Sequence, residues 1–405
     1  MGIPFRASFI TKIVSIVIYL DNNATTQIDP QVADHLAQIL SKRYVNPASQ
    51  HAPGRSARSI VEDARESLLA LVKARTRGMH SDRAIFTSGG TESNNLALCG
   101  LIAKRQGCLV VSSIEHPSVL AMAQRIEQQG REVRYLPCKQ SGQIDIRPLA
   151  QWIEQGDAIA AVSIMLANNE TGVLQPVQET VGLCKSAGIP VHTDAVQAVG
   201  KIPVDFEALD VDALTLTAHK MHGPVGIGAL IVKNGIEFEP MLYGGFQQGA
   251  LRPGTESPFL ASALAMTAQL AIHQQQVRFE RMLQCRELLE STLIDQIPKS
   301  VVLGADAPRL PHTISISFPG VDRQLMQLAL DREGIACGTG SACASGSSQP
   351  SHVLQAMGLP KEVIQGAIRL SLSWETTIEQ VHQAAERITR VALRLSSASR
   401  SSKSL

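Results

Sequence analysis

A lysine stands at the end of an apolar, β-branched run, Leu214-Thr215-Leu216-Thr217-Ala218-His219-Lys220, and Gly223-Pro224 then breaks the backbone. The run reads as a short buried strand with Lys220 at its exit. Strand ends of open α/β sheets are where ligands bind. A lysine walled in by apolar residues there is desolvated and can be held as a neutral amine or an imine. Most lysines that close a strand are plain surface residues, so the chemical reading needs company. Other segments supply it: Gly90 and Thr91 in a glycine-rich turn, His116, Asn169, and the pair Asp194 and Gln197.

Each of these residues follows a predicted strand. Residues 84–87 lead into Ser88-Gly89-Gly90-Thr91 and a helix to about 104, which is how a backbone offers free N–H groups to a phosphate. The turn matches neither a Walker loop nor GxGxxG, so a nucleotide is not indicated. Strands at 108–113, 132–136, 158–166 and 190–194 alternate with helices. Repeated βα units predict an α/β fold with a mainly parallel sheet covered by helices, whose strand ends share one edge. The five groups then become neighbours. Together they suit pyridoxal 5'-phosphate (PLP). Its aldehyde needs Lys220, and its pyridine nitrogen needs a buried carboxylate such as Asp194. Its phosphate needs the N–H groups and hydroxyls of Gly90, Thr91, Thr217 and His219; its ring a flat partner, His116; its phenolic oxygen a donor, Gln197.

The 405 residues can bury a large core and suggest more than one domain. We expect residues 1–29 to form an extension and a segment packing with a small domain, and 30–258 a large cofactor-binding domain. Residues 259–395 should form a linker helix and a small C-terminal α/β domain, and 396–405 a disordered polar tail. A formal net charge of +1 gives no case for nucleic acid or an anionic membrane. No apolar run is long enough to span a bilayer. Seven cysteines stand singly without a CxxC pair, which fits a reducing cytoplasm and not a disulfide frame. Cys99, Cys108, Cys138, Cys184 and Cys285 are expected to pack as small hydrophobes; Cys337, six residues before Cys343 at a strand end, is expected in the core, with a resolving thiol as its alternative. Cys343 lies in the small-residue run 338–348, which offers nothing to pack against.

The motifs 19–26 (YLDNNATT), 46–54 (NPASQHAPG), 86–95 (FTSGGTESNN), 115–120 (EHPSVL), 168–176 (NNETGVLQP), 192–201 (HTDAVQAVGK), 219–230 (HKMHGPVGIGAL), 252–256 (RPGTE), 340–346 (GSACASG) and 350–358 (PSHVLQAMG) are jointly specific. On these motifs the chain resembles the cysteine desulfurases of the class V aminotransferase family, PLP fold type I, from residue 18 to about 394. The Gly-Ser-Ala-Cys context is similar to the group serving nitrogenase and general iron–sulfur assembly. The resemblance implies that Lys220 carries the cofactor, Asp194 pairs with its pyridinium, His116 stacks on its ring, and Gln197 and Asn169 bond near its phenolic oxygen. It implies that Thr255 reaches the phosphate of a neighbouring subunit in a homodimer. Asn46 and Arg369 are matched to the carboxylate of L-cysteine, and Cys343 to the thiol that accepts sulfur as a persulfide before an iron–sulfur scaffold or another acceptor protein takes it. No metal site is assigned, and transient cluster ligation by Cys343 stays open. A selenocysteine lyase or another PLP enzyme of the fold, and an inactive PLP-bound scaffold, are the competing readings. Val225, the stretch 246–250 and Ser373-Trp374 depart from the family pattern without removing a catalytic group.

Overall fold

The computed structural model describes residues 17–401 apart from 77, 79 and 341–348. Its strands are β1 (Ile18–Tyr19), β2 (Arg83–Thr87), β3 (Cys108–Ser112), β4 (Val133–Leu136), β5 (Ile159–Ser163), β6 (Val191–Asp194), β7 (Ala213–Thr217), β8 (Gly228–Val232), β9 (Val301–Val302), β10 (Thr313–Ser317), β11 (Ile335–Ala336) and β12 (Ala367–Ser371). Seven of them form one sheet in the order β2-β8-β7-β6-β5-β3-β4. Only β8 in this sheet runs against its neighbours. The short connection 218–227 has no room for the crossover helix that a parallel return would need. Every residue of β3, β5, β6, β7 and β8 is buried, as expected of strands covered on both faces.

A second core gathers around β10, β12 and β9, an antiparallel sheet, with β1 lying parallel to β11 beside it. The N-terminal segment therefore crosses from this core to the large sheet: Leu20 sits in it, while the Thr26 N–H donates to the His219 carbonyl at 2.9 Å. That crossing brings residues 21–26 to the strand-end edge.

Two expectations need correction. The linker is two helices, Pro258–His273 and Gln275–Gln296, broken at Gln274. The first buries Ala261, Leu264 and Ala268 in the large core; the second buries Cys285, Leu289 and Leu293 in the small one. Because the two halves serve different cores, one straight helix cannot satisfy both. The last helix runs from Ile378 to Ser401, so the expected tail from Ser396 begins as helix. No Gly or Pro interrupts that stretch, and serine and alanine tolerate helical backbone. Among the described cysteines, Cys108, Cys184, Cys285 and Cys337 are buried, whereas Cys99 and Cys138 are partly exposed.

Candidate active site

The predicted strand ends converge. A cavity of about 200 Å³ is lined by Gly90, Thr91, His116, Asn169, Asp194, Gln197, Thr217, His219 and Lys220. Lys220 reaches it from a single 3₁₀ turn, Ala218–Lys220, directly after β7. Its Nζ donates to the carbonyls of Ala24, at 2.7 Å, and of Asn23. Sequence reasoning did not foresee this, because both acceptors arrive on the N-terminal crossing segment.

Asp194 ends β6 and is buried. Its Oδ2 accepts from Asn94 Nδ2 at 2.6 Å and its Oδ1 from the Val196 N–H at 2.9 Å. Two neutral donors fix the plane of this carboxyl group. Asn94 Nδ2 also donates to Ser118 Oγ at 2.9 Å, while its own Oδ1 is buried without a hydrogen-bond partner. Asn94 stood inside the motif 86–95, yet nothing in its spacing marked it as the residue that braces Asp194.

The helix Gly90–Ile102 opens at the cavity, and its N-cap, Gly89, supplies no side-chain cap. The helix therefore begins with free N–H groups and the positive end of its dipole. A Cβ on Gly90 would stand 2.9 Å from Val196 Cγ2, so the close approach of helix and sheet edge requires glycine. His116 caps the helix Pro117–Gln128: its Nδ1 accepts from the Ser118 N–H at 3.1 Å and lies 2.8 Å from Ser118 Oγ. These contacts set the ring against the cavity, and burial, opposed by the nearby Asp194 charge, lowers its pKa. Burial, with the Lys220 charge, brings His219 to about 4, and its Nδ1 lies 3.2 Å from Thr25 Oγ1. Gln197 donates through Nε2 to the Asn23 carbonyl at 3.1 Å and accepts at Oε1 from Lys201 at 3.3 Å.

Of the remaining expected residues, the described ones, Arg369, Asn46 and Thr255, do not line the cavity. Arg369 is 2% exposed in β12; its Nη1 donates to the Asn169 carbonyl at 3.1 Å and its Nη2 to Asp21 Oδ1 at 2.7 Å. It is thus joined to the cavity through Asn169. Asn46 is exposed and lines a different hollow, beside Gly245 and Phe246. Thr255 is exposed. Cys343 falls outside the described residues. Its flanks are well held: Gly340 offers its carbonyl to Arg369 Nη1 at 3.4 Å, and Ser351 Oγ donates to Glu170 Oε2 at 2.5 Å. Among the described residues no group of His, Cys, Asp or Glu could hold a metal ion, and no helix is long and apolar enough to cross a membrane.

This geometry fits PLP. A buried carboxyl group held by two neutral donors faces a cavity that also holds an uncapped helix N-terminus and a lysine. Residues 18–384 match the Aminotransferase class-V family. The chain belongs to the class-V aminotransferases. Members of this family are PLP-dependent, with fold type I. Among its relatives, a cysteine desulfurase of Nostoc sp. is 40% identical over 381 residues, 94% of this chain and 94% of that protein. Cysteine desulfurase IscS of Dictyoglomus turgidum is 37% identical over 381 residues, 93% of this chain and 95% of that one. In three dimensions this class-V aminotransferase is similar to a NifS-like protein from Rickettsia africae, with a TM-score of 0.84 and 29% identity over 93% of this chain and 99% of that chain.

Proposed function

We propose that the chain is a PLP-dependent cysteine desulfurase that converts L-cysteine to L-alanine and hands the sulfur, through its own cysteine, to an acceptor in iron–sulfur assembly. The observation that carries this reading is the shared cavity of Lys220 and Asp194, in a chain whose relatives are cysteine desulfurases over nearly their whole length.

Bound PLP supplies an electron sink that makes the substrate's α-proton acidic. Asp194, braced by Asn94, keeps the ring nitrogen protonated. Lys220 would carry the cofactor, and its amine would move the proton at the substrate's α-carbon. The N–H groups at Gly90 and Thr91, with Thr217 and His219, would hold the phosphate; His116 would take the ring, and Gln197 and Asn169 its phenolic oxygen. Arg369 and Asn46 hold the substrate carboxylate. The Cys343 thiolate attacks the substrate sulfur: an S–S bond forms, the carbon–sulfur bond breaks, and the carbon takes a proton. Cysteine and one enzyme thiol therefore become alanine and one enzyme persulfide, with no outside oxidant. A second subunit, bringing Thr255, completes the phosphate site.

Incubation with L-cysteine and a reductant should give alanine and sulfide in equal amounts. Borohydride reduction of the yellow protein should leave the cofactor on the peptide containing Lys220, and Lys220→Ala should not turn yellow. Trapping on another lysine, or alanine without sulfide, defeats the proposal.

A further inference from the structure

Lys201 is a buried lysine that the chemistry above does not use. It follows Gly200, whose φ is +79° and whose Cβ, if it had one, would stand 2.8 Å from Ala271 Cβ. The turn therefore lies tight against the helix Pro258–His273. The Lys201 amine sits 3.3 Å from Gln197 Oε1, and on its other side the Gln197 amide donates through Nε2 to the Asn23 carbonyl at 3.1 Å. That same carbonyl accepts from Lys220, and Gln197 and Lys220 share the cavity.

The oxygen and nitrogen of an amide have nearly the same shape, but their partners here do not. A backbone carbonyl only accepts, and a lysine amine donates whether or not it is protonated. The Asn23 carbonyl fixes the N–H end of Gln197, and the Lys201 amine supplies a donor to its oxygen at the other. We infer that Lys201 is a positioning residue that fixes the Gln197 amide so that its N–H end, not its oxygen, serves the cofactor cavity; this rests on the PLP reading above.

Burial, helped by the Lys220 charge, lowers the Lys201 amine to about 7, so its neutral form is well populated near neutral pH, and that form still donates. Lys220, His219, His222 and His312 are the titratable groups that share its electrostatic surroundings. Without the amine, the Gln197 oxygen loses its donor and only the Asn23 carbonyl holds the amide, so its N–H end is less firmly kept toward the phenolic oxygen.

The test is a double-mutant cycle read by PLP affinity and by the pH titration of the bound cofactor's absorbance. Lys201→Met keeps the stem and loses the donor; it should weaken PLP binding about tenfold, the scale of one buried hydrogen bond, and displace the absorbance midpoint. Lys201→Gln, which restores an N–H, should recover both to within about threefold. In a Gln197→Ala background Lys201→Met should add nothing. Additive effects, or a Lys201→Met protein that matches wild type in both readouts, overturn the inference. If Lys201→Met does not fold, Gln197→Glu decides: Lys201 keeps its acceptor but the cavity loses its donor, so the same displaced titration is required. A wild-type titration in Gln197→Glu overturns the inference too. Wild-type protein that binds no PLP overturns the parent reading instead.

Discussion

Asp21 and Arg369, far apart in the chain, meet at 2.7 Å, carboxylate Oδ1 to Nη2, where the N-terminal crossing segment passes β12. Arg369 is buried and its Nε has no hydrogen-bond partner, so the guanidinium has both a standing acid and an unused donor. Arg369→Ala should raise KM for L-cysteine about a hundredfold or more, since an unpaired carboxylate in a closed site costs roughly 3–5 kcal/mol. Asp21→Asn keeps the acceptor and removes the competing charge. It should lower KM roughly three- to tenfold with kcat little changed. A threefold or smaller rise in the first variant places the substrate carboxylate elsewhere; a raised KM in the second makes Asp21 a support for Arg369 and not its competitor.

The subunit prediction rests on the glycine loop that carries Thr255. Phe246 is 92% exposed and Tyr243 is 86% exposed in this chain, on the same loop, with Leu242 beside them. Large apolar side chains gathered in this way mark a contact surface. Phe246→Asp should turn a homodimer into a monomer in sedimentation and should lower PLP affinity at the same time, because the Thr255 contact is lost with the partner. Thr255→Ala should lower PLP affinity while leaving the dimer intact. A monomeric Phe246→Asp protein with unchanged PLP affinity refutes the shared site.

The residues at strand ends were legible because the parallel sheet does the positioning: once 190–194 and the run from Leu214 read as strands, Asp194 and Lys220 had to share an edge. The supports were not legible. Asn23 lies 174 positions from Gln197 and 197 from Lys220, and its carbonyl is the common acceptor of both. No local period reports a backbone acceptor delivered from so far away. Lys201 sat in a matched motif but looked like any lysine after a turn. The break at Gln274 was hidden because residues on both sides favour helix equally; which core each half buries is a tertiary fact. Asn46 and Thr255 were grouped with the site by resemblance, and one chain does not bring them to the cavity.

His192 supplies a pH prediction independent of the cofactor. It is fully buried in β6, with Nδ1 2.9 Å from Ser163 Oγ and Nε2 3.0 Å from Thr215 Oγ1, and burial lowers it from 6.5 to about 3. Between those values the unfolded chain binds a proton that the folded chain refuses, so stability falls as pH falls through the window. Burial puts His219 and His222, each at about 4, on the same side. Glu115, raised by burial to about 8, acts in the opposite sense, losing stability as pH rises from 4.5 to 8. A comparison of variants removes these shared contributions. On going from pH 6.5 to pH 5, wild type should lose about 1.6 kcal/mol more than His192→Gln in urea unfolding, because the unfolded imidazole is half protonated at the start of that interval and almost fully at its end. Equal losses would show that His192 is protonated in the folded protein.

The last prediction separates two cysteines. Cys337 is packed in the small core, its carbonyl accepts from Gln327 at 3.0 Å, and burial, with the Asp21 charge, raises its thiol to about 12. Near pH 7 about one molecule in 10⁵ carries the thiolate there, which is too few for a nucleophile. Cys343, three residues beyond the anchored Gly340, carries the thiol assigned to sulfur transfer. Cys343→Ser should still bind PLP and turn yellow, since Lys220 and Asp194 are untouched. It should release almost no alanine from cysteine, because a hydroxyl is barely ionised near neutral pH and does not attack sulfur. Cys337→Ser should keep most of its turnover and lose on the order of 1 kcal/mol of stability from a polar atom placed in the core. Brief turnover of wild type without reductant should leave one added sulfur on the peptide containing Cys343, read by mass spectrometry. Selenocysteine should be run beside cysteine, because selenium leaves more readily and its release from Cys343→Ser would mark the thiol as specific to sulfur. A persulfide found on Cys337 alone, or full desulfurase turnover in Cys343→Ser, would reassign the nucleophile.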